Sequence, residues 1–167
     1  MLHEVSPNYR FNLKAVLMIF AACLCLILVG GVAAAQKSKT EEAKGDDAPC
    51  FSEYKGVSIG TSIDDARKKL GEPKEKADEL DIYSFSDKES AQIYYDKATK
   101  KVTAISVDYA GGVDAPECKK ITGTDADARA DGSKFKLVRY PKQGYWVSYN
   151  RTAGASPLVT VTIQKMQ

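Results

Sequence analysis

Read for its apolar and polar positions, the chain falls into three stretches of different character. Residues 15–35, from Ala15 through Phe20 and Leu24 to Ala35, contain no charged side chain. Residues 36–48, Gln-Lys-Ser-Lys-Thr-Glu-Glu-Ala-Lys-Gly-Asp-Asp-Ala, contain no large apolar one. From Pro49 to Gln167 apolar residues return in short periodic runs, which is the signature of a packed domain.

Within that third stretch one helix is well specified. Ser62 is placed to cap it, Asp64 and Asp65 fall where a helix N-terminus is positive, and Arg67, Lys68 and Lys69 fall toward its negative end. Gly71 supplies a left-handed stop and Pro73 forbids continuation. Ile63, Ala66 and Leu70 form a narrow apolar stripe that needs a flat surface to lie on. The alternating residues that follow predict that surface. Strands are expected at 81–86, with Tyr83 and Phe85 on one face, at 91–95, with Ala91, Ile93 and Tyr95 together, and at 102–109, with Thr103, Ile105, Val107 and Tyr109 together. Three more follow at 135–140, 144–149 and 158–164, the last turning Val159, Val161 and Ile163 away from Thr160 and Thr162. Short turn-like connections make successive strands antiparallel neighbours. The expected fold is therefore α+β, a short N-terminal helix packed on an antiparallel sheet of about five to six strands, preceded by a hydrophobic export helix.

Residues 15–35 sit just behind Arg10 and Lys14, so the chain is expected to be exported. As a helix the segment would measure roughly 31 Å, enough for a hydrocarbon core of about 30 Å. It also ends in Ala33-Ala34-Ala35, small residues suited to signal-peptidase cleavage between Ala35 and Gln36. Residues 1–35 are thus a signal peptide or an N-terminal membrane anchor, and membrane contact runs through 15–35 if the segment is uncleaved. Cys23 and Cys25 lack the aliphatic context of a lipidation site and read as small apolar residues. Residues 36–48 read as a disordered, solvated linker, because nothing in them can offset the entropy of ordering. Residues 49–167 are the size of a single domain.

Export sets the chemistry that can follow. Cys50 and Cys118 are the cysteines left in the exported part, and in an oxidising space they are expected to form one disulfide, worth about 4 kcal/mol in the loop-entropy model. Each follows an Asp-Ala-Pro, at 47–49 and 114–116, a hint of two related halves. The chain's single histidine, His3, precedes the hydrophobic segment, which removes imidazole from the exported part and with it the usual hydrolase triads and histidine-bound metals. Asp64-Asp65 is explained by the helix start, and Ser52-Glu53-Tyr54-Lys55 fits a Ser-x-x-Lys pattern only in its letters. Asp125, Asp127 and Asp131 alternate as calcium ligands do, but Arg129, Ala130 and Lys136 stand where that loop wants an oxygen ligand, a glycine and a glutamate. Neither cofactor nor metal is implied. With Arg10, Lys14 and Glu4 set aside, acidic and basic side chains nearly balance, so nucleic acid is not an expected partner.

Ile59-Gly60-Thr61-Ser62, followed by Ala66 to Pro73 with its Leu-Gly-Glu-Pro and then by strands, resembles the small domains of the SmpA/OmlA family, the outer-membrane barrel-assembly lipoproteins, and of the β-lactamase inhibitor protein. The resemblance covers about residues 54–109. It implies helices against an antiparallel sheet and work by protein–protein contact without catalysis. One further feature fits such work: Tyr145, Trp146 and Tyr149 lie on one strand, Trp146 opposite the two tyrosines, either lining the core or forming a contact surface. The expectation is a periplasmic or otherwise extracytoplasmic protein, secreted or anchored, that binds an envelope protein and is not an enzyme. The alternatives are a glycan- or peptidoglycan-binding domain, an unrecognised envelope enzyme, and a calcium-stabilised module resting on Asp125–Asp131.

Overall fold

The computed structural model describes residues 40–42 and 48–167. Residues 15–35 and the Ala35–Gln36 junction lie outside the described residues, and the choice between signal peptide and anchor lies there with them. Among the described residues no helix is long and apolar enough to cross a membrane.

The expected helix is α1, Ile63–Leu70. Ser62 caps it reciprocally: its Oγ accepts from Asp65 N–H at 3.1 Å and donates to the Asp65 carboxylate at 2.7 Å. At the other end Gly71, at φ +86°, turns its N–H back onto the Arg67 carbonyl, a conformation a side chain would strain. Eight residues are too few for a stable helix in isolation, and only Ala66 is fully buried, so α1 depends on what it packs against. A small hairpin, β2 (Glu53–Tyr54) and β3 (Val57–Ser58), lies beside it.

The six expected strands all form: β5 (Leu80–Ser84), β6 (Glu89–Tyr95), β7 (Val102–Tyr109), β8 (Lys134–Tyr140), β9 (Tyr145–Arg151) and β10 (Val159–Lys165). With β1 (Thr40–Glu42) and β4 (Glu75–Lys76) they make one eight-stranded sheet in the order β1-β8-β9-β10-β7-β6-β5-β4. The sheet is thus wider than five or six strands. The excess comes from two very short, charge-bearing edge strands, a common way of blunting an edge against further pairing. Thr40–Glu42, within the stretch 36–48 expected as a disordered linker, pairs with Leu137–Arg139. Backbone hydrogen bonding does not need apolar side chains, so a polar segment can add to an edge that already exists.

β5-β6-β7 and β8-β9-β10 are two antiparallel meanders that meet through β7 and β10. The strand order is therefore symmetric about that joint, an architectural duplication. The two Asp-Ala-Pro segments do not mark equivalent points of it: Cys50 precedes β2, whereas Cys118 opens α2 (Cys118–Thr122). The segment between β7 and β8 carries α2 and delivers the second meander to the far side of the first.

One face of the sheet carries the core. Ile93, Ile105, Ile163, Val147 and Val138 stand opposite one another across β6, β7, β10, β9 and β8, all buried. A β-bulge between Tyr94 and Tyr95 modifies the expected face of β7. Val102, not Thr103, joins Ile105, Val107 and Tyr109 in the buried set, because the extra residue resets the alternation. α2 packs on β8 and β9, with Ile121 and Thr122 buried.

The two cysteines stand as separate thiols, which departs from the expected bridge. Cys118 is buried, its sulfur 3.5 Å from Thr122 Oγ1 and 3.6 Å from the Thr124 carbonyl. Cys50 is exposed, and its sulfur lies at the same C-terminal end of α2, 3.4 Å from where a Cβ on Gly123 would stand. Both sulfurs thus lie beside the C-terminal turn of α2, around Thr122–Thr124, and each remains a free thiol. Alkylation of the native protein followed by peptide mapping is expected to label Cys50 rapidly and Cys118 only after denaturant is added. Recovery of a Cys50–Cys118 cross-linked peptide would show that the bond forms.

Candidate functional site

Ionisable chemistry inside the fold concentrates at Asp81, and its geometry is structural. Asp81 is fully buried on β5 and receives two hydrogen bonds from the Arg67 guanidinium, Nε at 2.8 Å and Nη2 at 2.9 Å, plus one from the Tyr95 hydroxyl at 2.9 Å. Arg67 also donates to the Ala77 carbonyl at 3.2 Å. Burial pushes the Asp81 carboxyl upward, but the hydrogen bonds from Arg67 and Tyr95, with the guanidinium charge, outweigh it and hold the group below its usual range. Burial and then the Asp81 carboxylate push the Tyr95 phenol up. Tyr83, close to both, keeps a buried hydroxyl that completes a hydrogen bond with neither. No nucleophile faces a base here, so the cluster is a clamp between α1 and the sheet.

The other polar candidates are similarly occupied. Lys55 lies 3.4 Å from Glu89 and 4.7 Å from the centre of the Phe85 ring, while the Tyr54 hydroxyl donates to Glu89 at 2.7 Å. Asp131 accepts from Ser133 N–H and Oγ in a tight turn, and the Asp125 carbonyl accepts from Lys136 at 3.4 Å. Among the described residues no three His, Cys, Asp or Glu side chains converge as a metal would require.

The expected aromatic surface is divided by the sheet. Tyr145 and Tyr149 point into the core, and the Tyr145 ring lies 5.8 Å from that of Tyr140, so these two are not a contact surface. Trp146 emerges half-exposed on the opposite, open face. There it joins a row that crosses four strands: Tyr94 on β6, Ala104 on β7, Gln164 on β10 and Trp146 on β9. The adjacent row is Gln92, Ser106, Thr162 and Ser148. Large aromatic residues at the ends and small ones between make a trough of about 1130 Å³, with Tyr94 and Trp146 as walls and Ala104, Ser106, Thr162 and Gln164 as floor. Three strand spacings separate the walls, roughly 14 Å. Charged groups, Glu79, Asp96, Lys97 and Lys165, lie around one end. The Tyr94 hydroxyl donates to Gln92 at 2.6 Å, and Ser106 and Thr162 share a hydrogen bond of 3.3 Å.

Such a surface can stack and hydrogen-bond, and it holds no reactive pair. Comparison of the chain with models of protein families, with curated proteins and with solved structures finds no match. The trough is read on its own chemistry. Sequence reasoning reached Trp146 but passed over Tyr94, because Tyr94 lies between the core residues Ile93 and Tyr95 in a run read for its buried face. The available signal was a large aromatic on the outward phase of an otherwise polar alternation.

The Asp81 clamp makes two linked predictions. Because the folded-state carboxyl lies below its unfolded value near 3.9, its contribution is present above that pH and is lost as pH falls through the folded value. Urea unfolding is expected to show stability declining below about pH 4, with the Asp81 share of that decline absent in Asp81→Asn. Arg67→Met leaves the carboxylate buried and uncompensated, so it should cost about 3 kcal/mol at pH 7, and less in the Asp81→Asn background.

Proposed function

We propose that this chain is an exported, non-catalytic module of the cell envelope that binds a segment of a partner protein in the trough on the open face of its sheet. The observation that carries the reading is the row Tyr94–Ala104–Gln164–Trp146, two aromatic anchors either side of a low floor on a continuous sheet. Aromatic side chains of this kind supply most of the energy in protein contacts, and strand-borne anchors lose little entropy when they engage. A trough roughly 14 Å between walls matches a helix of about 10–12 Å diameter or an extended segment with its side chains.

Two further lines support it. The charge-free segment at 15–35 behind Arg10 and Lys14 argues for export, and without His3 the exported part has no imidazole. The resemblance of residues 54–109 to SmpA/OmlA and β-lactamase inhibitor domains implies protein contact, with an envelope protein as the partner. A second reading, glycan or peptidoglycan binding, is favoured by one observation: the floor is built of hydroxyl and amide groups beside aromatic faces, as sugar sites are.

The test compares the full chain with its Tyr94→Ala, Trp146→Ala double variant, which leaves the buried face untouched. Affinity capture from envelope extract is expected to recover a protein in fixed ratio with the wild type. The double variant should lose it by about thirty-fold or more, as removal of a buried aromatic anchor does. Co-sedimentation with purified peptidoglycan, abolished in the variant, would replace the protein reading with the glycan one. Equal capture by both proteins would remove the trough from consideration.

A further inference from the structure

β1 differs from every other strand of the sheet. Its pairing with β8 is parallel, whereas every other neighbouring pair in that sheet is antiparallel. Its sequence is Thr-Glu-Glu, with no apolar residue and with a residue type depleted in strands. What holds it is the backbone ladder and its register, Thr40 with Leu137, Glu41 with Val138 and Glu42 with Arg139. The strand it lies against is basic: Lys-Phe-Lys-Leu-Val-Arg-Tyr, with Arg139 exposed and Lys134 half-buried. Lys136 is committed elsewhere, to Thr124 Oγ1 and the Asp125 carbonyl. β8 runs over Lys134–Tyr140, but β1 covers Leu137–Arg139, and the start of β8 is met by an isolated bridge between Ala128 and Lys134. A seven-residue strand with Arg139 exposed thus carries a three-residue acidic segment on its edge.

We propose that the outer edge of β8 is a strand-addition site for an extended acidic segment of a partner protein, and that Thr40–Glu42 is the chain's own resident occupant of it. A partner strand supplies the same ladder over more of 135–140, beyond the Ala128–Lys134 bridge, and meets Arg139 with carboxylates. Because β1 must leave first, it lowers the apparent affinity of any competitor by the fraction of time the edge is free. Residues 40–42 therefore gate the site. The site lies on the sheet edge, apart from the trough on its face, so the two readings stand or fall separately.

The probe is a synthetic peptide of residues 36–47 of this chain, titrated into the isotope-labelled full chain while the backbone amide signals of Lys134–Tyr140 are followed. In wild type the resident strand competes with it. Thr40→Pro, Glu41→Pro and Glu42→Pro together remove the N–H groups of β1, and this triple variant should bind the peptide at least ten-fold more tightly, with shifts confined to β8 and its neighbours. Glu41→Lys with Glu42→Lys, which keeps the backbone able to pair, should move affinity in the same direction. Adding Arg139→Glu to the triple variant should reverse the gain by about ten-fold. Equal binding by wild type and the triple variant, no localised shift at millimolar peptide, or indifference to Arg139→Glu would each overturn the proposal.

Discussion

The antiparallel pairing of β7 with β10 is the contact on which the rest of this protein is built. It joins two meanders whose strands are more than fifty positions apart in sequence, as in the pairing of Val107 with Val161 and Ile105 with Ile163. On one side of that joint those same residues are the centre of the hydrophobic core. On the other side Ala104, Ser106, Thr162 and Gln164 form the floor of the trough. A single ladder of backbone hydrogen bonds thereby sets the core and the candidate binding surface at once, because successive side chains of a strand point to opposite faces. Closing so long a loop costs chain entropy before any contact repays it.

The inner face solves a second problem, how to cover a wide sheet with little helix. α1 buries only Ala66 completely and α2 has five residues. At α1 the deficit is made good by polar means. The Arg67 guanidinium reaches across to the fully buried Asp81 carboxylate, and Tyr95 completes the set from β6. Such a cluster is worth little over a well-packed apolar one but is costly to break in half, so it selects one seating of the helix and penalises the others. A residue set with charge, phenols and burial can pass for an active centre, yet here each oxygen of the carboxylate is already bound within the fold.

What remains available for recognition is the open face and the sheet edge. They offer different physics: aromatic stacking and polar contacts in the trough, a backbone ladder with a charge bias along β8. A module of this size gains from keeping the two apart, since a partner that engages both is held by the product of the two affinities reduced only by the geometry of its own linker.

The sequence by itself determined what depends on near neighbours. Ser62, Gly71 and Pro73 bound the helix because capping and φ preferences act within a turn, and period-two alternation located all six long strands because the pleat is local. The same local logic identified the charge-free segment at 15–35. The tertiary structure alone decided what depends on partners distant in the chain. It chose β7 and β10 as neighbours, sent Tyr145 and Tyr149 inward and left Trp146 with Tyr94 on the open face. It left Cys50 exposed and Cys118 buried beside the same end of α2, recruited Thr40–Glu42 to an edge, and made Asp81 the ligand of Arg67. Alternation says that two faces exist, but which one is buried, and which strand lies beside which, follows only when the whole chain competes for the same apolar surface.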